Sequence, residues 1–164
     1  MRAARLALVL GCLGIATATE AGLLPTKGSQ LVTLGAGGGC PIPGHPNASG
    51  FNLRVGTDGS TTGFTIPAKQ ILVLTDVVAS ATFQIPGDVF FVNVLIGNAT
   101  QSNLVTGSFE TAAASGAFSV TYAPPNGIAI KSGSAVCIET TDFAHPSAFV
   151  GVFSFAHGYL APDK

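Results

Sequence analysis

Charge is what this chain has least of. Asp, Glu, Lys and Arg make up 9% of its 164 residues, against about 25% in ordinary globular proteins. The 7 Lys and Arg form no cluster. A nucleic-acid interface needs a basic footprint, and an anionic membrane surface needs a polybasic segment, so neither partner is expected. Tryptophan is absent and tyrosine occurs twice. The missing Trp argues against an immunoglobulin-type sandwich, whose core packs Trp on a disulfide. It also weakens sugar binding, which usually relies on aromatic platforms, because the 11 Phe mostly fall at alternating, core-like positions.

Helical periodicity is missing as well. Residues 112–117 could close one turn, and Gly116 weakens even that. Beyond the N-terminus, Gly, Pro or polar residues interrupt every apolar run, so no membrane span is expected.

Catalytic signatures are equally scarce. The chain has no Gly-x-Ser-x-Gly elbow, no His-Glu-x-x-His and no Cys-x-x-Cys. The glycine-rich residues 35–39 lack the Gly-Lys-Ser/Thr ending of a phosphate loop, and Pro41 has no N–H to offer a phosphate. No catalytic residue, metal site or cofactor is therefore assigned.

What is present begins with a leader. Residues 1–21 combine a basic start (Arg2, Arg5), a short apolar run and small residues before Thr19 and Gly22. This is the pattern of a secretory signal peptide cleaved after Ala18 or Ala21. An uncleaved anchor and a lipoprotein modified at Cys12 are the alternatives. Their apolar runs fall short of the roughly 20 residues of a bilayer helix and the roughly 7 to 15 of a signal core. Removal of the leader takes away Arg2 and Arg5 and leaves 5 basic residues against 8 acidic, or 7 if Glu20 goes too. The expected location is secreted, periplasmic or on the cell surface.

Export gives the cysteines a meaning. With Cys12 gone, Cys40 and Cys137 allow one intramolecular connectivity. The bridge would close a loop of about 98 residues, worth about 4 to 5 kcal/mol in the chain-entropy model. Two free buried thiols are the alternative. Cys40 lies in a Gly/Pro-rich loop, residues 34–50, that a bridge would tie down.

Residues 22–50 thus supply an N-terminal strand and this loop, and residues 51–164 the body, all in one domain. In the body the signal has period two. Strands are expected over residues 51–55, 64–66, 71–79, 89–96, 118–122, 135–140 and 148–160, divided by turn pairs such as Asp58-Gly59, Pro86-Gly87 and Ser132-Gly133. Residues 63–75 and 127–139 align without a gap as strand, polar turn, apolar strand, as two related hairpins would. The expected fold is all-β: a two-sheet antiparallel β-sandwich, jelly-roll-like, with 8–10 strands.

Three segments carry a resemblance: Phe-Thr-Ile-Pro-Ala-Lys-Gln-Ile-Leu-Val-Leu-Thr-Asp (64–76), Gly-Ile-Ala-Ile-Lys-Ser-Gly-Ser-Ala-Val-Cys (127–137) and Phe-Ser-Phe-Ala-His-Gly-Tyr-Leu (153–160). In these the chain resembles small exported bacterial β-sandwich proteins. Residues 83–91 and the late Gly-Tyr-Leu are also similar to the tumour-necrosis-factor and complement-head type of jelly roll. The resemblance spans residues 51–160 and rests on strand and turn patterns. It implies binding rather than catalysis, and a homo-oligomer with the trimer as its common form.

A few polar residues remain to be placed. Asp76 interrupts an apolar run. Its expected place is a strand end; were the strand central, Lys69, Arg54 or backbone donors would have to pair with it. His45 and His145 precede prolines in loops, and His157 falls on the last strand, with a backbone partner expected. Asp142, His145 and His157 form the one candidate polar cluster. Asn47 and Asn98 head Asn-x-Ser/Thr patterns, which a bacterial source would leave bare. Together these features describe an exported, non-catalytic structural or interaction module. A carbohydrate-binding-like module with a glycan or surface partner is the alternative, and a hydrolase a remote one.

Overall fold

Among the described residues the alternation becomes eleven strands and no α-helix. The computed structural model of the protein describes residues 25–82, 84–144 and 152–164. The leader (residues 1–21), His145 and residues 148–151 of the last expected strand lie outside them. The strands are β1 (Leu31–Gly35), β2 (Ser49–Gly50), β3 (Leu53–Val55), β4 (Thr61–Gly63), β5 (Gln70–Ala81), β6 (Val89–Asn98), β7 (Gln101–Thr111), β8 (Phe118–Tyr122), β9 (Ile128–Lys131), β10 (Ala135–Asp142) and β11 (Phe153–Pro162).

Two sheets form, each antiparallel throughout. The seven-stranded sheet runs β4-β3-β1-β11-β5-β8, with β9 also on β5; the four-stranded sheet runs β2-β10-β6-β7. When β3, β4 and β9 are set aside, eight strands remain. Among them the first pairs with the last, the second with the seventh, the third with the sixth and the fourth with the fifth: β1–β11, β2–β10, β5–β8 and β6–β7. Such nested pairing, rolled into two facing sheets, is a jelly roll.

The core between the sheets is made by the inward half of each alternation. Leu34, Leu72, Leu74, Val77, Phe90, Val92, Val94, Val136 and Ile138 are all buried in one cluster. Phe90 stacks on Phe118 with ring centroids 4.6 Å apart, a contact worth about 1 kcal/mol beyond its buried area. β11 contributes little bulk inward: Ser154, Ala156 and Gly158 are buried small residues.

One bulge shapes the middle of the seven-stranded sheet. The β5–β11 register shifts between His157 and Gly158, so that Thr75 is the extra residue. The Thr75 hydroxyl donates to the His157 carbonyl (3.0 Å). Gly158 makes the close approach possible, because a Cβ there would sit 2.4 Å from the Val73 carbonyl oxygen.

The Gly/Pro-rich loop folds over the outer face of the four-stranded sheet. Backbone hydrogen bonds from Cys40 to Ala48 and from Gly50 to Gly38 give it a ladder of its own. Ile42 and Ala48 bury against Leu95 and Cys137. The Cys40–Cys137 disulfide fastens it, with Cα atoms 5.8 Å apart across a sequence separation of 97. His45 Nδ1 meets Glu139 Oε2 at 3.0 Å and ties down the tip.

Three local expectations need correction. Residues 64–66 are not a strand; the β3 partner is β4, three residues earlier, and Phe64 instead donates its N–H to the Asn52 carbonyl. The segment 127–139 is not a hairpin, because its turn carries the chain from β9 in one sheet to β10 in the other. Residues 112–117 make a turn, closed by the Gly116 N–H on the Ala113 carbonyl, rather than a helical one.

Candidate functional site

Among the described residues, no segment covers the outer face of the seven-stranded sheet, and its side chains meet solvent. Alternation along β11 sends Ser154, Ala156 and Leu160 inward and Phe153, Phe155, His157 and Tyr159 outward. Register then brings like-facing residues alongside: Leu31, Thr33 and Gly35 of β1 lie opposite Tyr159, His157 and Phe155. On the other side, Ser80, Val78 and Asp76 of β5 lie opposite Phe153, Phe155 and His157.

This face has three zones. At one end Tyr159 shields Ile71, Val73 and Ala161, which are buried in a small cluster separate from the main core. In the middle, His157 Nδ1 and Asp76 Oδ1 lie 2.5 Å apart. The Thr75 hydroxyl, within reach of the His157 carbonyl at 3.0 Å, also lies 3.2 Å from Asp76 Oδ2 and has one proton to share between them. At the other end, Gly35 leaves a shallow groove of about 340 Å³ between Leu53 and Val55 on one side and Phe153 and Phe155 on the other. Phe153 is 69% exposed and Phe155, two residues on along the same face, 42%. Burying either phenylalanine fully is worth about 1.5 to 3 kcal/mol. A contiguous patch of this kind marks a contact surface, whereas scattered single residues would not.

The groove rim is acidic at one point. The β3–β4 turn ends the groove with Gly59 and Thr61. Beside them, the Asp58 carboxyl is held below its ordinary pKa, first by the Ser60 side chain and then by the Ser60 backbone N–H, 3.0 Å away.

The sequence-derived site residues are placed as follows. Cys40 and Cys137 form the disulfide. Asp142 ends β10 in the four-stranded sheet, buried, and its carboxylate accepts the Ala144 N–H at 2.8 Å. His157 lies in the other sheet and on its outer face, so the structure does not bring it to Asp142. His145 lies outside the described residues. Asp76 is not at a strand end; it sits mid-strand, and its partner is His157 rather than Lys69 or Arg54. His157 accordingly has a side-chain partner. Phe153 and Phe155 depart from the core-like place expected of the phenylalanines.

An Asp–His pair is part of a proton-relay triad, and Thr33 lies across from His157 on β1. A triad site also needs aligned donors for an oxyanion. Among the described residues no three His, Cys, Asp or Glu gather to hold a metal ion. Nor is any helix among them long and apolar enough to cross a membrane. No protein-family model matches the chain, and neither does any curated protein.

Proposed function

We propose that the protein is an exported, non-catalytic interaction module that assembles with copies of itself through the outer face of its seven-stranded sheet. The observation that carries this reading is the exposed pair Phe153 and Phe155 beside an apolar groove. A second copy suits the face because the polar side chains at its centre, Asp76 and His157, already partner each other. The thinly charged surface around them does little to keep copies apart. The leader pattern and the long-range disulfide support export.

Light scattering on a dilution series tests the assembly. The expected result is a molar mass of two or three chains at high concentration, falling toward one chain on dilution. A single-chain mass at every concentration overturns the reading. A trimer, as the jelly-roll resemblance implies, and a two-fold dimer are distinguished by the same measurement.

A further inference from the structure

We propose that the sandwich also carries a ligand site: an apolar pocket at one end of the jelly roll that takes a small uncharged molecule with an aliphatic body and one hydrogen-bonding end. It is independent of the assembly face.

The pocket has a volume of about 350 Å³, within the roughly 300 to 1,000 Å³ usual for ligand sites. Its inner wall comes from both sheets and the connections near them: Leu34, Phe51, Ile66, Leu72 and Val136. These residues are buried and belong to the main core. The mouth is polar but uncharged, with Asn52, Thr65, Asn98 and Ser134. The Asn98 side-chain oxygen already accepts from Thr100 and Gln101, so that residue offers a ligand only its amide N–H donors.

Small residues hold the space open. Gly50, Ala99, Gly133 and Ala135 all line it, where close packing would favour larger side chains. Two of them have backbone reasons: Gly133 has φ of +85°, and a Cβ on Gly50 would press on the Gly39 carbonyl oxygen at 3.2 Å. Ala99, exposed on the β6–β7 turn, has no such constraint on its size. One wall, Pro41 and Gly50, belongs to the loop that the disulfide fastens, so the pocket is preformed.

The chemistry of the lining selects the ligand. No Lys, Arg, His, Asp or Glu lines it, so a carboxylate or ammonium entering the pocket loses its hydration and gains no partner. A monosaccharide asks for many more hydrogen bonds than four rim groups on an apolar wall supply. At roughly 30 Å³ for each non-hydrogen atom, the volume share of a water, the space holds about a dozen atoms. A medium-chain alcohol fits this description.

Calorimetric titration of the purified protein with 1-decanol tests the site. The expected result is saturable one-to-one binding, at least tenfold weaker for decanoate and absent for glucose. Ala99→Trp at the mouth and Val136→Phe in the wall should each weaken decanol binding by about tenfold or more. Ala99→Trp lies on an exposed turn and should leave the unfolding midpoint unchanged, so its loss of binding cannot be blamed on misfolding. Phe155→Ser should bind decanol as the parent does, which separates the pocket from the assembly face. The proposal is overturned by absence of saturable decanol binding, by equal affinity for decanoate, or by binding that survives both pocket substitutions.

Discussion

The two outward faces of this jelly roll are treated in opposite ways. On the four-stranded sheet, Leu95 and Cys137 point outward yet are fully buried, because the chain lays its own loop over them and bolts it with a disulfide. On the seven-stranded sheet, Phe153 and Phe155 point outward and stay exposed. Both faces carry outward apolar side chains, with one acid–histidine pair on each: His45–Glu139 and Asp76–His157. An apolar sheet face needs a cover; this chain supplies one internally, and for the other the proposed cover is a second copy.

The contrast breaks most visibly at the staple. Replacing both cysteines (Cys40→Ala with Cys137→Ala) removes the closure of a long loop and should cost about 4 kcal/mol. The unfolding midpoint should fall by roughly 10 °C in thermal circular dichroism, while assembly through the other face persists in light scattering. Next comes the open face. Phe153→Ser with Phe155→Ser should weaken self-association by about 3 kcal/mol, more than a hundredfold in the dissociation constant. Phe155 is more than half covered in the single chain, so monomer stability should fall by about 1 kcal/mol in urea unfolding, well below the loss in association.

Smaller effects sharpen the same picture. Asp76→Ala removes the partner of a partly exposed His157 and should cost about 0.5 to 1 kcal/mol, read in urea unfolding. The smallest effect belongs to Asp58 on the groove rim. Its folded pKa is depressed, so it contributes stability above the unfolded carboxylate pKa of about 4. That contribution is lost as pH falls through the folded value. Asp58→Asn should therefore unfold slightly more easily than the parent at neutral pH, and the difference should vanish in strong acid, as paired thermal melts would show.

Much of the fold was legible because alternation is a local signal. Residues 71–79, 89–96, 118–122 and 135–140 all lie within β5, β6, β8 and β10. β7 was not, although it runs eleven residues. It pairs on one side only, so its sequence is rich in Gln, Ser, Asn and Thr and lacks the β-branched density of a central strand. The pairs His45–Glu139 and Asp76–His157 join residues 94 and 81 positions apart. Contacts of that range depend on register, and for Asp76 on a bulge that no local pattern announces.

The exposed phenylalanines expose a sharper limit. Alternation separates 153, 155, 157 and 159 from 154, 156, 158 and 160, but says nothing about which set faces in. Size suggests the phenylalanines. The structure chooses Ser154, Ala156 and Gly158, because Leu34, Leu72 and Val77 on the flanking strands already fill the space between the sheets. What decides the face is the packing of neighbouring strands, and only the assembled sandwich contains that information.

Because the chain has no Trp, a Phe155→Trp variant places a single indole at the centre of the question. Its emission should lie at short wavelength in concentrated solution, where a second copy covers the face, and move to the red on dilution from about 100 µM to about 0.1 µM. Emission typical of a water-exposed indole at every concentration would contradict a face built for self-contact.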